Sequence, residues 1–117
     1  MRIALIGAGR HAQHHARAIL RCPNVQLVAV ADPSDVAQAA MREIVPGIGC
    51  FRTPEELFAS ERLDVVHIIT PPASHAPLAR MAIKAGCHIY VEKPFTESVE
   101  DAQQVLDEAG AKGLRVC

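Results

Sequence analysis

Aromatic residues are scarce in this chain: tryptophan is absent, and Tyr90, Phe51, Phe58 and Phe95 are the only others. A stacking surface for single-stranded nucleic acid is therefore missing. An excess of one charge is missing too, since 12 Lys plus Arg nearly balance 13 Asp plus Glu for a formal net charge of -1. No broad positive field exists to hold nucleic acid or anionic lipid. The four cysteines, Cys22, Cys50, Cys87 and Cys117, are scattered, with no Cys-x-x-Cys pair and no histidine at zinc-ligand spacing. Neither a disulfide framework nor a zinc site is suggested, and a reducing, cytoplasmic setting is expected. Long hydrophobic runs are also lacking. The apolar start Ile3-Ala4-Leu5-Ile6 stops at a glycine, too short for a signal-peptide core, and no stretch approaches the length needed to span a bilayer.

What is present is enough apolar material for one domain: half of the 117 residues are hydrophobic, and a single domain over residues 1–117 is expected. Short β-rich runs recur at Ile3 to Ile6, Leu27 to Ala31, Val65 to Ile69 and Ile89 to Val91. They are too continuous to be one-sided, which predicts strands buried on both faces. Helical patterns lie between them. Ala12, Ala16, Ile19 and Leu20 share one face, as do Val36, Ala40 and Ile44, and later Leu78, Met81, Ala82 and Ala85. Thr53-Pro54-Glu55-Glu56 reads as a capping box with proline at the first helical position, placing a short helix over Pro54 to Ser60. Gly86 can end the helix before the Ile89 run. Ser98 with Asp101 resembles another N-cap, opening a helix with Val99, Ala102, Val105, Leu106 and Ala109 on its buried face. With a weak third strand at Cys50 and a last one over Leu114 to Cys117, six strands alternate with helices. Right-handed crossovers then predict a doubly wound parallel α/β sheet in the order 3-2-1-4-5-6, with helices on both faces.

The first strand runs straight into Gly7-Ala8-Gly9-Arg10-His11-Ala12, a G-x-G-x-x-A spacing in the strand-turn-helix context that a dinucleotide-binding turn requires. Gly7 permits the tight turn and Gly9 lets the backbone approach a pyrophosphate. Small Ala12 lets helix and strand pack closely, and the helix N–H groups face the phosphates. The bland alternative is a glycine turn with no ligand. Asp32 ends the second strand twenty positions beyond Ala12, where a carboxylate can accept hydrogen bonds from the adenosine ribose hydroxyls. That favours NAD over NADP, because a 2'-phosphate would meet like charge and no Arg or Lys follows in Pro33-Ser34-Asp35. Asp32 can equally be a turn-former before Pro33.

The fifth strand ends in Tyr90-Val91-Glu92-Lys93-Pro94, at the edge where ligands bind in such sheets. The Lys93 ammonium can hydrogen-bond a substrate oxygen and stabilise a developing alkoxide; otherwise Glu92 and Lys93 are a solvated pair. Four stretches together resemble the Gfo/Idh/MocA group of oxidoreductases: Ile3 to Gly9, Val28 to Asp32, Asp64 to His75 with its Thr70-Pro71-x-x-x-His75 pattern, and Ala85 to Pro94 with Ala85-Gly86 and Glu92-Lys93-Pro94. They cover the chain in order and nearly end to end. The resemblance implies a Rossmann domain in which Lys93 contacts substrate or the nicotinamide ribose, and Pro94 shapes the strand end, often through a cis bond. It also implies that Thr70, Pro71 and Pro72 line the cofactor crevice. Many relatives carry Asn where this chain has Pro72, which leaves backbone contacts from that loop.

The candidate cofactor-binding residues are thus Gly7, Ala8, Gly9, Arg10, His11, Asp32, Thr70, Pro71, Pro72, His75, Glu92, Lys93 and Pro94, with Lys93 the candidate catalytic residue. His75 falls in the first turn of a helix, where a structural cap is expected before a proton shuttle. His11, His14 and His15 share the first helix without an acidic or thiol ligand, so a solvated face is expected and no metal. By resemblance, a C-terminal domain outside these residues supplies the substrate pocket, for a sugar, cyclitol or related hydroxyl or carbonyl compound. NAD(H) binding with little or no turnover is then expected of this chain alone. A non-catalytic dinucleotide sensor or protein-interaction module of the same fold is the alternative, and a two-chain enzyme a third. Weak self-association through the bare face is also expected.

Overall fold

A computed structural model describes residues 1–117. Five parallel strands, β1 (Arg2–Ile6), β2 (Gln26–Ala31), β3 (Gly49–Phe51), β4 (Val65–Ile68) and β5 (His88–Val91), form one sheet in the order β3-β2-β1-β4-β5. The helices are α1 (Arg10–Ile19), α2 (Asp35–Ile44), α3 (Pro54–Ser60), α4 (His75–Lys84) and α5 (Val99–Ala111). The order reverses beside β1, so the carboxyl ends of β1 and β4 splay apart into the crevice typical of doubly wound sheets.

Side-chain alternation decides what each face buries. Ile3, Leu5 and Val30 pack under Ala12, Ala16 and Ile19 of α1 and Met41 of α2. On the opposite face Val66, Ile68, Ile89 and Val91 pack under α4 and under Val105 and Ala109 of α5. The small Ala4, Ala29 and Ala31 let α3 settle close with Leu57, its one fully buried side chain; truncating that residue would cost about 2 to 5 kcal/mol. Three helix starts are held by side-chain caps, two of them, Thr53 and Ser98, read from the sequence. Thr53 Oγ1 accepts from the Glu56 N–H while Glu56 Oε2 accepts from that of Thr53, and Ser98 Oγ accepts from Asp101 at 3.0 Å. Ser34 Oγ likewise accepts from the Ala37 N–H. Gly86, at φ +82, follows the end of α4.

Several expectations need correction. The sixth strand is a single bridge: Val116 pairs with Ile89 beside β5, as the order requires, but the bonds joining Arg115 and Cys117 to β5 leave only one residue in register. Strands buried on both faces hold for β1, where Ile3 to Ile6 are at most 5% exposed, but not for β4 and β5. There the even β4 positions and their partners are buried, whereas Val65, His67, His88 and Tyr90 are only partly covered, because α1 and α2 lie over β1 to β3. The buried side of α2 is Gln38 and Met41 rather than a Val36 stripe, and Val36 is 80% exposed. Leu20, Val99, Leu106 and Ala85 also face outward, for their helices bury narrow seams of small residues instead.

Candidate functional site

Gly7 leaves β1 by donating its N–H to Ala31 O at 2.8 Å, and turns with φ +98. A Cβ here would come within 2.5 Å of the Ile69 carbonyl oxygen, so only glycine fits the turn and the packing together. The next N–H, that of Ala8, donates to Asp32 Oδ2 at 2.8 Å, and Ala8 itself is buried. Gly9 is the N-cap of α1 and offers no side-chain cap. A Cβ on Gly9 would meet nothing within 4 Å, so the space above the first N–H groups of α1 is open. Orphan donors at a positive dipole end with open space above them suit a diphosphate.

Asp32 is the turn-former that the sequence allowed, at the end of β2 and on the wall of the larger opening beside Gly7. Its Oδ1 accepts from the Ser34 N–H at 2.8 Å while Oδ2 takes that of Ala8. Each carboxylate oxygen has a second lone pair, so sugar hydroxyls can still be accepted. Beside it lie two residues that sequence reasoning missed. Gln38, 5% exposed, donates through Nε2 to the carbonyls of Asp32 at 2.8 Å and Phe51 at 3.0 Å, tying the ends of β2 and β3 together. Arg52, carried by the end of β3, donates from Nη1 to Asp35 Oδ1 at 2.6 Å and from Nη2 to Pro33 O at 3.0 Å. The one sequence signal was a lone glutamine in the buried register of an otherwise apolar helix face.

These groups line one crevice at the carboxyl ends of the strands. A larger lobe of about 460 Å³ takes in Gly7, Asp32, Pro33, Arg52 and Pro71, and a smaller one of about 210 Å³ takes in Arg10, His11, Glu92 and Lys93. Gly9, Ile69 and Thr70 belong to both. Pro72 opens a 3-10 turn (Pro72–Ser74) beyond the wall, where Ser74 Oγ donates to Pro71 O at 2.7 Å and the Thr70 hydroxyl donates to Ser74 Oγ at 2.6 Å. His75, 1% exposed, lies beneath the crevice, with Nε2 2.7 Å from Thr70 O and Nδ1 2.8 Å from Pro94 O. Both neighbours are carbonyl oxygens, and a ring N–H can bond one of them, so the ring is a strut between the Thr70 loop and the cis Lys93–Pro94 segment. Pro94 therefore meets His75 through its carbonyl and does not line the cavity.

The solvated histidine face expected on α1 holds for His11 and His14 but not for His15. Three residues after buried Ala12, His15 flanks the seam of α1 and reaches the half-open side of β4 and β5. Its Nε2 donates to Glu92 Oε1 at 2.9 Å, and its Nδ1 lies 3.2 Å from Nδ1 of His67, which stacks on Tyr90 with ring centroids 4.7 Å apart. Burial, reinforced by His15, lowers the His67 pKa to about 4. For Glu92 burial works against the charge, but hydrogen bonds from His15 and the Lys93 N–H, with the His15 and His11 charges, prevail and hold its carboxyl below the usual range. No group of three or more His, Cys, Asp or Glu is arranged to hold a metal ion.

A parallel sheet of this order, with an obligatory glycine turn, an uncapped helix start and an acid at the end of β2, defines a dinucleotide-binding Rossmann domain. More particularly, the model of the Gfo/Idh/MocA oxidoreductase family, NAD-binding Rossmann fold, matches residues 1–117, and the chain belongs to that family. It is 32% identical over 118 residues to an inositol 2-dehydrogenase of Agrobacterium fabrum, covering 99% of this chain and 35% of that protein. It is 34% identical to a D-glucoside 3-dehydrogenase of Escherichia coli, covering 97% and 32%. Among solved structures, GenD2 from gentamicin A biosynthesis, in complex with NAD, superimposes with a TM-score of 0.94 at 28% identity, covering all of this chain and 33% of that one. The chain spans about a third of the length of the curated relatives it matches, and NAD is its cofactor.

Proposed function

We propose that this chain is the cofactor half of a dehydrogenase acting on a hydroxyl or carbonyl carbon of a sugar or cyclitol, with Lys93 at the reacting oxygen. The observation that carries the reading is that the Gly7–Gly9 turn, Asp32, the Thr70 loop and Lys93 open onto one continuous crevice. NAD, when bound, accepts or gives the hydride. The N–H groups of α1 hold the diphosphate, Asp32 accepts from the adenosine ribose hydroxyls, and Arg10 and His11 flank the diphosphate. The Lys93 ammonium donates to the substrate oxygen and stabilises the negative charge that grows there. Glu92, pinned by His15, and Pro94, pinned by His75, hold Lys93 from either side. That the chain spans about a third of the length of its curated relatives supports a substrate wall supplied by surface outside residues 1–117, on which turnover would depend.

Inositol 2-dehydrogenases and a glucoside dehydrogenase among the relatives support the substrate class. All four cysteines are free thiols, which supports a reducing, cytoplasmic setting, and no helix is long and apolar enough to cross a membrane. Exposed Leu20 and Val36 and the half-open side of β4 and β5 support weak self-association, read by sedimentation at several concentrations. Calorimetry with NADH tests the cofactor part: Asp32→Ala should weaken binding by about tenfold or more, the size of a charge-assisted hydrogen bond. Hydride exchange with a panel of polyols, run on a chain extended beyond Cys117, tests the rest. Inactivity there, or activity undiminished by Lys93→Met, would overturn it.

A further inference from the structure

The larger lobe contains one basic side chain, Arg52, at the end of β3. Nothing near Asp32 in sequence offers a cation, but in the fold the Asp32 N–H donates to Phe51 O at 3.0 Å, and Gln38 ties the same two strand ends. Arg52 is thereby set beside the adenosine end of the crevice, where a 2'-phosphate would lie. Its guanidinium is already engaged, by the Asp35 carboxylate at 2.6 Å and the Pro33 carbonyl at 3.0 Å. Three of its five N–H donors remain. The Asp35 side chain is 80% exposed and stands at the first position of α2, whose cap is Ser34. The fold asks little of that carboxylate beyond its contact with Arg52 and the helix dipole.

We propose that Asp35 and Arg52 together select NAD against NADP, with Asp35 as a positioning residue that turns the guanidinium away from a 2'-phosphate. Bound in this way, Arg52 has its charge compensated and its plane fixed. The lobe has no aromatic side chain, so that plane is the one delocalised surface available to the adenine ring. A 2'-phosphate would meet the Asp32 carboxylate and, in Arg52, a cation whose charge Asp35 already matches. NADP exclusion is therefore a paired device drawn from β2, α2 and β3 rather than the effect of Asp32 alone.

The test is direct binding of NADH and NADPH to the full chain, followed by calorimetry or nucleotide fluorescence, in wild type, D35N, R52A and D35N/R52A. Removing the Asp35 charge frees Arg52, so D35N should bind NADPH about tenfold or more tightly than wild type, the size of one charge-assisted bond, while NADH, whose adenine loses only the fixing of that plane, should weaken by less than about threefold. R52A should weaken NADH binding by about threefold, the size of an exposed cation–π contact. In D35N/R52A the NADPH gain should vanish, and in D35N it should shrink with added salt. Asp35→Ser should repeat the gain, which guards against a folding defect of one variant. The selector is overturned if D35N binds NADH within about threefold of wild type and NADPH no better, or if D35N/R52A keeps the gain, since relief of repulsion would then suffice. Folded wild type that binds no NADH would instead overturn the reading of the crevice, and the selector with it.

Discussion

Consider replacing His67 by phenylalanine, which keeps a flat ring against Tyr90 and removes the titrating nitrogens. In the folded protein the pKa of His67 falls from 6.5 to about 4, through burial first and His15 second. A base whose folded pKa is depressed is protonated more readily in the unfolded chain. Its contribution is therefore constant above the unfolded value and drains away as pH falls from 6.5 toward 4. Integrating that difference from about pH 7.5 to about pH 5 gives a loss of about 2 kcal/mol. With a urea slope of about 1.5 kcal/mol/M, the midpoint should drop by about 1 M over that interval. Glu92 does not confuse the window: its pKa is lowered from 4.5, so the stability it lends is lost only as pH falls below that region. The assay is urea unfolding by circular dichroism at both pH values, for wild type and His67→Phe. The variant should lack about 2 kcal/mol of the acid sensitivity of wild type. Equal sensitivity in both proteins, or an imidazole NMR titration of His67 centred near its unfolded value, would refute the reasoning.

Three further outcomes are expected. Gly7→Ala combines a φ of +98 with a Cβ 2.5 Å from the Ile69 carbonyl oxygen, and should cost about 3 kcal/mol in denaturant unfolding; an unchanged midpoint would contradict the turn geometry. Gln38→Leu strips the Asp32 and Phe51 carbonyls of a shared donor, and should cost about 1 to 3 kcal/mol and weaken NADH binding in calorimetry by loosening Arg52 and Asp32. Cys87 is 2% exposed, and burial followed by Asp64 raises its thiol pKa to about 11. Mass spectrometry after iodoacetamide treatment at neutral pH should find Cys22 and Cys117 alkylated and Cys87 untouched.

Those features that depend on neighbours a few residues apart were legible in the chain itself. The α3 boundaries at Pro54 and Ser60, the Ser98 cap and the Gly7 turn all follow from local backbone needs: a donor to be capped, or a φ that only glycine adopts. Strand order followed as well, because crossover handedness leaves few choices once strands and helices alternate. Periodicity was less reliable where helices bury seams of alanine. It could not tell Val36 from Met41 on α2, since both recur at helical spacing and only the position of the sheet decides between them.

The amino-acid order alone determined the glycine turn after β1, the acid just past β2, the place of Lys93 just past β5 and the resemblance to the family that the comparison then established. Only the tertiary structure decided that Arg52 reaches Asp35 and Pro33, that His15 engages Glu92 and His67, and that His75 braces two loops from below. Nothing local encodes these contacts. They join residues brought together by which strands lie side by side and which faces the helices leave uncovered, and that arrangement exists only once the sheet has formed.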